Sequence, residues 1–381
     1  MKKLLALLVL IFFPTTAFAD AVPGHFIITG SGFGHGVGLS QIGAEGLALE
    51  GKSASDILTY YFPGTQVTTA PITQDIRVNI GHQSTYQAIT GTNLALFRGD
   101  LTTAPIAIPQ GAVLKFASVG KVISPTISMK GSPTQVLSPA TYFSVTWSGS
   151  VKVAGISLKY GFIGLRANAG KMEVTATMKL DTEYIYGVSE MSSAWPTAAI
   201  QAQAIASRTY GLSRINLIRK ECDCNVYNTI YDQHYVGASK ESEPANGLLW
   251  RAAVDATAGM SITYNGNPIN VYFFSSSGGT TQRSEDVWGT SFPYLTNVPD
   301  PYSLDLVLNP TYSHWQRVLN QSDLTKAFGL PDVATMVADS RTMTNSVISV
   351  TATSSAGVKS TLPVGIFKTK LKIPASWFQI N

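Results

Sequence analysis

Residues 184–212 read "YIYGVSEMSSAWPTAAIQAQAIASRTYGL". Pro196 suits the first position of a helix, and the residues after it are rich in alanine and unbroken by proline. These features predict the strongest helix of the chain. Glu190 comes shortly before it, between Ser189 and Met191. We therefore expect a carboxylate just before the N-terminus of this helix rather than along its exposed side.

Polar side chains recur along the same helix. Gln203, Ser207 and Tyr210 are spaced i, i+4 and i+7 and share one face. Gln201 and Arg208 share another. On a helix that is otherwise lined by alanine, two explanations stay open. These side chains either hydrogen-bond to neighbouring strands or line a cleft that receives a substrate.

Short β-rich runs fill residues 75–180. They include "QDIRVNI", "AVLKFASV", "TYFSVTW" and "MEVTATMKL", separated by Gly, Pro, Ser and Thr. Several strands at this spacing predict a small barrel or sandwich, and we interpret residues 81–155 as a β module inserted into the main domain or packed on it. After residue 225 the chain is expected to return to strands and turns. The prediction is an α+β fold with a β-rich core, one long alanine-rich helix, a few short helices and the small inserted β module.

The chain begins "MKKLLALLVLIFFPTTAFAD", which has the anatomy of a secretory signal peptide: two lysines, a short apolar run and the triplet Ala17-Phe18-Ala19. We predict cleavage after Ala19, with an uncleaved anchor as the alternative. Removing Lys2 and Lys3 reduces the 27 basic side chains to 25, against 23 acidic ones, a balance of about +2. This near-neutral charge disfavours nucleic acid as a partner.

No later stretch reaches the roughly 18 apolar residues that a transmembrane helix needs. We therefore expect no transmembrane segment after signal cleavage. The predicted location is outside the inner membrane, either secreted or on the cell-wall or periplasmic side. A bacterial wall is the natural setting for such a protein.

Glycine occupies every second position at the start of "GSGFGHGVGLSQ", residues 30–41. An extended segment over residues 25–38 would place these glycines on one side, with Phe33 and His35 among the residues on the other. A strand with one bare face lets another backbone or a ligand approach closely. We predict such an approach here.

Two short helices are predicted next, one within "LSQIGAEGLALEG" and one from Asp56 to Phe62. Residues 46–53, "GLALEGKS", also match the written pattern of a nucleotide-binding P-loop. Helix formers rather than glycines separate its two glycines, so the phosphate-cradling backbone cannot form there. ATP is also scarce outside the cytoplasm. We therefore expect no nucleotide partner.

The two cysteines of the chain are Cys222 and Cys224, in "ECDCNVY". They cannot form a disulfide scaffold for a chain of this length, and a bridge between residues two apart is geometrically tight. Three alternatives stay open: a strained disulfide, a pair of metal ligands and two free thiols.

Three motifs of the chain resemble those of the stage II sporulation protein D family, which includes the amidase enhancer proteins of cell-wall turnover. The segment over residues 184–212 resembles the core motif. The second motif has its counterpart in "FFSSSGGTTQRSEDVWGTSFPYLTNVPDP". The third resembles "GFGHGVGLSQIGAEGLALEG" followed by "ILTYYFPGT". They fall within residues 30–67 and 158–302.

Two features depart from the family pattern. In sporulation members the glycine-histidine motif usually lies near the C-terminus, whereas here it follows the predicted signal peptide. A circular rearrangement keeps the fold if the chain ends meet in space. Sporulation members also usually have a histidine before the serine run of the second motif, where this chain has Phe274. A metal or proton-transfer role tied to that histidine therefore has no side chain to perform it at this position.

The pattern and the resemblance together divide the chain into five parts. These are a signal peptide (1–19), an N-terminal part of the core with the glycine-histidine motif (20–80), the inserted β module (81–155), the catalytic core (156–310) and a C-terminal β-rich part of the core (311–381).

The resemblance implies a lytic transglycosylase that acts on peptidoglycan glycan strands. A hydrolytic glycosidase normally needs two carboxyl groups. A lytic transglycosylase needs one, because the 6-hydroxyl of the muramic acid attacks its own anomeric carbon and gives a 1,6-anhydro product. Glu190, with Val188, Met191 and Trp195 nearby in the sequence, is expected to have a raised pKa and to be the catalytic residue. Its alternative role is to complement the helix dipole.

The resemblance also favours the cleft explanation for the polar residues. His35 either packs against the core or faces the cleft, and Gln41 is a candidate for binding N-acetyl groups. A serine nucleophile is disfavoured, because no Gly-x-Ser-x-Gly elbow or nearby histidine accompanies the hydroxyl-rich turn at 275–279. The predicted substrate-binding residues are His35, Gln41, Gln203, Arg208, Tyr210, Ser276 and Ser277.

Some relatives hold zinc with cysteine and histidine near this part of the chain. Here Cys222, Cys224 and His234 would supply three ligands. The spacing is not a standard zinc signature, however, and Phe274 removes a plausible fourth ligand. Zinc is one alternative for the cysteines, and the predicted enzyme requires no cofactor.

Two alternatives to an enzyme are a non-catalytic amidase enhancer or peptidoglycan-binding protein that holds glycan in the same groove, and a structural partner in a wall-remodelling complex. The expected partners are peptidoglycan glycan strands and, for an enhancer, a wall amidase. Sequence alone does not separate these functions, because a binding groove and a cleaving groove share nearly all their residues.

Overall fold

The computed structural model describes residues 22–381. The predicted α+β fold is confirmed, with 38% strand and 22% helix. The chain divides into two compact units, one formed by residues 31–314 and the other by residues 22–30 with 315–381. The predicted signal peptide, residues 1–19, lies outside the described residues.

Strands are numbered along the described chain. They are β1 (His25–Ser31), β2 (Leu39–Ser40), β3 (Gln66–Thr69), β4 (Asp75–Ser84), β5 (Tyr86–Phe97), β6 (Pro105–Ala107), β7 (Val113–Val119), β8 (Val122–Ser128), β9 (Gln135–Val136), β10 (Tyr142–Val153), β11 (Ile156–Leu158), β12 (Phe162–Asn168), β13 (Lys171–Lys179), β14 (Val226–Tyr227), β15 (Met260–Tyr264), β16 (Asn267–Pro268), β17 (Phe273–Phe274), β18 (Trp315–Asn320), β19 (Thr335–Arg341), β20 (Val347–Thr353), β21 (Lys359–Pro363) and β22 (Trp377–Ile380).

The α-helices confirm the two short helices and the long helix predicted from the sequence. They are α1 (Gln41–Leu49), α2 (Ala54–Tyr61), α3 (Thr197–Arg214), α4 (Ala238–Glu241), α5 (Gly247–Ala256), α6 (Ser284–Trp288), α7 (Gln321–Phe328) and α8 (Val364–Leu371). The helices after residue 225 were not predicted. Within residues 22–381, no helix combines the length and the apolar character that crossing a membrane requires.

A large sheet dominates the unit formed by residues 31–314. Its strand order is β14-β4-β13-β12-β10-β5-β7-β8-β9, with β11 paired to β10 and β6 to β5. All four predicted strand runs fall on it, in β4, β7, β10 and β13. Both predicted boundaries of the inserted module fall within this sheet: residue 81 lies in β4, and residue 155 lies between β10 and β11. The boundaries of the inserted module stay a prediction, because hydrogen bonding within one sheet does not by itself define a folding unit.

Helix α3 lies between two apolar cores. Ile200 and Ala204 belong to the core of the large sheet, whereas Ala202 and Ala206 belong to a second core built with α1 and α2. Small side chains let both layers approach the helix closely, since a larger residue would have to displace packed neighbours. This packing explains why the helix is rich in alanine and buried on both sides.

The glycine-rich segment is not the extended strand that was predicted. Strand β1 ends at Ser31, and the glycines at 32, 34, 36 and 38 all have positive φ, which a β-strand does not. The segment instead runs beside the chain around β17. At Gly38, with φ +81°, a Cβ atom would lie 2.3 Å from the carbonyl oxygen of Tyr272. The predicted close approach of another backbone is therefore confirmed, and only glycine permits it here.

The second unit contains two small sheets. Strand β1 pairs antiparallel with β18, and the order of that sheet is β18-β1-β22. The other sheet has the order β19-β20-β21, and α8 packs against β20 and β21. The predicted β-rich tail is correct for these strands, but the sequence interpretation missed α7 and α8.

Candidate active-site cleft

A cleft of about 1010 Å³ opens within the unit formed by residues 31–314. Four parts of the chain line it: the glycine-rich segment with the start of α1, the turn at Glu190, the end of α3 with the loop over residues 219–232, and the chain from 272 to 292. Of the sequence-predicted residues, His35, Gln41, Glu190 and Tyr210 meet in this cleft.

Glu190 lies on the turn before α3 and is half-buried. Its Oε1 accepts a 2.6 Å hydrogen bond from the backbone N–H of His234. The backbone N–H of Ser189 in turn donates to the carbonyl oxygen of His234 at 2.8 Å, beside an antiparallel bridge between Val188 and Tyr235. Two chain segments far apart in sequence therefore hold the carboxyl in place.

The pKa of Glu190 is raised from its ordinary value. Burial is the main cause, because removing water from a carboxylate disfavours its charged form. The hydrogen bond and the charge of His234 act in the opposite direction. The net effect agrees with the sequence prediction and favours a carboxyl group that can act as a proton donor.

Residues 191–193 are held by an ion pair between buried Lys240 and partly exposed Glu243. Lys240 is 2% exposed, and its Nζ donates to the carbonyl oxygen of Met191 at 2.9 Å and to Glu243 Oε1 at 3.0 Å. Ser193 Oγ donates to the other oxygen of Glu243 at 2.6 Å. Sequence reasoning missed this pair, although a lysine and glutamate at i, i+3 are visible in "SKESE". The pair fixes the chain directly after Glu190.

A chain of polar side chains supports Glu190 from α1 and α3. Gln41 Nε2 donates to the carbonyl oxygen of Glu190 at 3.1 Å and to Gln203 Oε1 at 3.2 Å. Gln203 Nε2 donates to Ser207 Oγ at 3.1 Å. The predicted shared face of Gln203 and Ser207 is thus confirmed. Gln203 is fully buried and lies behind Gln41. In this conformation it does not contact a substrate directly.

Asp232 is a second carboxylate in the cleft, and sequence reasoning missed it. Its Oδ1 accepts from the Tyr210 hydroxyl at 2.6 Å and from Arg219 at 2.8 Å, and its Oδ2 accepts from Arg219 and from the backbone N–H of Tyr227. Burial alone would raise the pKa of Asp232, but these hydrogen bonds outweigh it and lower the pKa. The carboxyl is 1% exposed. Asp232 is therefore a fixed anion whose oxygens are already engaged.

Aromatic rings surround His35. Its ring centroid lies 5.1 Å from that of Trp288, 5.6 Å from that of Phe274 and 6.2 Å from that of Tyr272. The backbone N–H of Val37 donates to His35 Nδ1 at 3.1 Å, which leaves the ring proton of a neutral imidazole on Nε2. The apolar surroundings come from the chain around Phe274, where the family pattern would place a histidine.

Arg208 does not line the cleft, contrary to the sequence prediction. It is fully buried, forms a 2.7 Å ion pair with Asp181 and donates to the carbonyl oxygens of Val254 and Met260. A helix packed on both sides has two inward faces, and the sequence pattern does not tell them apart. Arg208 lies on the face that ties α3 to neighbouring backbone.

Ser276 and Ser277 are also fully buried rather than exposed to a substrate. The backbone groups of Ser276 pair with those of Phe33. Ser277 Oγ donates to buried Asp300 at 2.6 Å. The hydroxyl-rich turn therefore packs under the glycine-rich segment, and the predicted binding role of both serines is corrected.

The zinc prediction is not supported by the structure. Cys222 and Cys224 form a disulfide, so their sulfurs are not the thiolates that zinc requires. His234 instead lies at Glu190, with its Nδ1 3.2 Å from the carbonyl oxygen of Ser189. Among residues 22–381, no group of three or more His, Cys, Asp or Glu side chains is arranged to hold a metal ion. Of the three alternatives for the cysteines, the structure shows the disulfide.

Residues 168–264 match the family model described as stage II sporulation protein. Over 138 residues the chain is 33% identical to the amidase enhancer of Bacillus subtilis (strain 168), which covers 36% of this chain and 18% of that protein. It is 31% identical over 132 residues to stage II sporulation protein D of the same organism. This match covers 32% of this chain and 38% of that protein. An uncharacterized protein of Brachyspira hyodysenteriae is 33% identical over 146 residues, covering 37% and 36%.

These matches span between 18% and 38% of the relatives' own lengths. The part of this chain that the family model matches contains Glu190, all of α3, Asp232 and Lys240. The family resemblance recognised in the sequence is thus confirmed. Over this part, the chain is similar to stage II sporulation protein D and to the amidase enhancer.

Proposed function

We propose that the cleft binds peptidoglycan glycan strands and cleaves them as a lytic transglycosylase, with Glu190 as the catalytic residue. The observation that carries this proposal is the contrast between the two cleft carboxyls. The pKa of Glu190 is raised, whereas Asp232 is held as an anion by Tyr210, Arg219 and a backbone N–H. Hydrolysis needs a second carboxylate that is free to activate water or to attack the sugar. Asp232 lacks that freedom, so a mechanism with one working carboxyl fits the site better.

In this mechanism protonated Glu190 donates its proton to the glycosidic oxygen that leaves the muramic acid. The bond between the anomeric carbon and that oxygen breaks, and the 6-hydroxyl of the same muramic acid attacks the anomeric carbon. The carboxylate of Glu190 accepts the proton of this hydroxyl. The product is a 1,6-anhydromuramoyl end, no water is consumed and the protonated carboxyl is restored. No metal or cofactor takes part.

The groups around Glu190 support both stages. Burial favours the neutral acid before proton transfer. The His234 N–H, 2.6 Å from Oε1, stabilises the carboxylate formed after it. Gln41 donates to the carbonyl oxygen of Glu190 and Lys240 to that of Met191, so two successive peptide groups are held in place. Holding a catalytic group in one geometry is a large part of enzymatic rate enhancement.

A second candidate is a non-catalytic enhancer that uses the cleft to hold glycan or a wall amidase. It is favoured by the 33% identity to a protein named amidase enhancer. Both candidates place the protein at the bacterial wall, after export through the signal peptide predicted over residues 1–19. Direct glycan binding is common to both, so the chemical step must be tested separately.

The deciding experiment is digestion of purified glycan strands, intact and stripped of stem peptides, followed by mass spectrometry. Wild-type protein is expected to release 1,6-anhydromuramoyl products, and Glu190→Gln is expected to release none. Glu45→Gln is the matched control, because Glu45 on α1 also has a pKa raised by burial but does not line the cleft. Ordinary reducing ends would instead indicate hydrolysis. Glycan binding without any product, combined with stimulation of an amidase, would establish the enhancer.

A further inference from the structure

Trp288 is a large aromatic side chain that stays exposed inside the cleft. It ends helix α6 and is 44% exposed, although large apolar side chains are usually buried on folding. Its ring centroid lies 4.5 Å from that of Tyr272 and 5.1 Å from that of His35. Part of the indole thus packs against fixed neighbours and part is open to a ligand.

The position of Trp288 is set before any ligand arrives. Arg283 lies directly before α6 and donates two hydrogen bonds, of 2.9 and 3.1 Å, to Asp286 within the helix. The backbone N–H of Phe292 donates to Ser284 Oγ at 3.2 Å. Gly289, at φ +76°, ends the helix directly after Trp288. Because the segment is tied at both ends, a ligand gains contact with the indole at little cost in ordering it.

Phe33 is a second exposed ring in the same cleft. It is 43% exposed and stacks on Tyr312 with ring centroids 4.4 Å apart. Asp232 and Arg219, two polar groups of the cleft, are by contrast engaged with each other. The surfaces that the cleft offers to a ligand are therefore flat and apolar, with hydrogen-bonding groups beside them.

A pyranose ring has the complementary shape and chemistry. Its C–H groups form a flat apolar face, whereas its hydroxyl and N-acetyl groups project around the rim. The face can cover an indole and exclude water from both surfaces, while the rim stays free to bond to polar groups. We propose that Trp288 is the stacking platform of a sugar subsite in this cleft. The identity of the glycan rests on the proposed function, but the subsite does not depend on cleavage.

The test is titration calorimetry in a Glu190→Gln background, which separates binding from bond breaking. The probes are peptide-stripped peptidoglycan oligosaccharides and, separately, the free stem peptide. Trp288→Ala is expected to weaken oligosaccharide binding roughly ten- to hundredfold, and Trp288→Phe by a smaller factor. Tyr86→Ala is the matched control, since Tyr86 on β5 is 53% exposed and does not line the cleft. This control is expected to bind as the parent does.

Each outcome has a distinct meaning. Equal oligosaccharide affinity for the parent and Trp288→Ala, with both proteins showing the same thermal unfolding, would overturn the subsite and leave the proposed function standing. Loss of affinity for stem peptide rather than for oligosaccharide would overturn the sugar assignment. Absence of oligosaccharide binding to the parent itself would overturn both. A graded loss from parent to Trp288→Phe to Trp288→Ala would support the platform, because the loss would follow the area of the ring.

Discussion

The backbone N–H of His234 donates a 2.6 Å hydrogen bond to Oε1 of Glu190, joining residues that are 44 positions apart. The loop that carries Asp232 therefore also holds the carboxyl that precedes α3. One contact gives this loop influence over both the position and the pKa of the proposed catalytic group. Its consequences can be measured.

The stability of the protein should depend on the ionisation of Glu190. Its pKa is raised in the folded state, so folding retains a proton that the unfolded chain has lost at intermediate pH. The contribution of the neutral carboxyl is therefore present at low pH and falls as pH rises between the unfolded and folded pKa values. Glu190→Gln removes this dependence. We expect the melting temperature of the variant relative to wild type to increase from about pH 4 to about pH 8.

Thermal melts of both proteins across this range, in matched buffers, test the expectation. A fall in the melting temperature of Glu190→Gln relative to wild type as pH rises would contradict a raised pKa for Glu190.

The pH dependence of cleavage should report one carboxyl group. Activity requires protonated Glu190 at the start of the cycle, so kcat/KM is expected to fall as pH rises through its raised pKa. The pKa of Asp232 is lowered, which keeps Asp232 ionised and gives no second limb at moderately acid pH. Initial rates of anhydro-product release across pH provide the measurement. A bell-shaped profile whose acid limb disappears in Asp232→Asn would argue for two working carboxyls.

Arg208→Ala should mainly affect stability. The guanidinium is fully buried and paired with Asp181 at 2.7 Å, so its removal leaves a partly buried carboxylate and carbonyl groups without their donor. We expect a loss of about 3–5 kcal/mol in the free energy of unfolding, with activity per folded molecule unchanged. Arg166→Ala is the control. Arg166 pairs with Asp223 but its side chain is 46% exposed, and its loss should cost about 0–1 kcal/mol.

Chemical denaturation gives both values. A fall in activity per folded Arg208→Ala molecule, without the loss of stability, would instead indicate that Arg208 acts in the cleft.

Lys240→Met should reduce activity by altering the position of Glu190. The substitution removes the donor to the Met191 carbonyl oxygen, and an unpaired buried carbonyl costs about 1–3 kcal/mol. We expect kcat to fall with KM little changed, because the displaced group acts in the chemical step. The alkaline limb of the pH profile should also shift as the burial of Glu190 changes. Lys159→Met is the control, since Lys159 is 38% exposed and pairs with Glu241.

Rates and pH profiles of the folded variants distinguish positioning from simple destabilisation. Unchanged kcat and an unchanged pH profile for Lys240→Met would assign the ion pair a structural role alone.

The cysteines should be oxidised and free of metal in the purified protein. Replacing Cys222 and Cys224 by serine opens a closed loop of three residues, for which the chain-entropy estimate is a loss of about 1–2 kcal/mol. Thiol titration, intact mass and elemental analysis provide the measurements. Stoichiometric zinc together with protected thiols would contradict the disulfide and restore the metal alternative.

Several parts of the fold could be predicted because their signals are local. Pro196 and the alanines after it predict α3, since helix initiation and propensity depend on neighbouring residues. The spacing of Gln203 and Ser207 predicts that they share a face, because the helix repeat fixes it. The four β-rich runs likewise predict strands β4, β7, β10 and β13 of the large sheet. The sequence also predicts a bare backbone at 30–38, although not the positive φ angles that turn it.

The assembly of the cleft could not be predicted in the same way. Arg208 shows the limit most clearly: a polar residue on an alanine-lined helix is equally compatible with a cleft and with a buried ion pair. The choice depends on which backbone packs against that face, here the chain around Asp181 and Val254. Ser276 and Ser277 were misassigned for the same reason, since only the packed glycine-rich segment shows that they are covered.

The sequence by itself determined the α+β class, the long helix, the position of Glu190 before it and the resemblance to stage II sporulation proteins. The tertiary structure decided which groups surround that carboxyl. His234, Asp232 and Lys240 follow no periodic pattern relative to Glu190. His234 donates to its carboxyl, Lys240 in α4 donates to the next carbonyl oxygen, and Asp232 lines the same cleft. Local preferences fix helices and strands because they act between near neighbours in the chain. The pKa of Glu190 and the openness of Trp288 arise from burial and from contacts between distant residues, which exist only once the chain has folded.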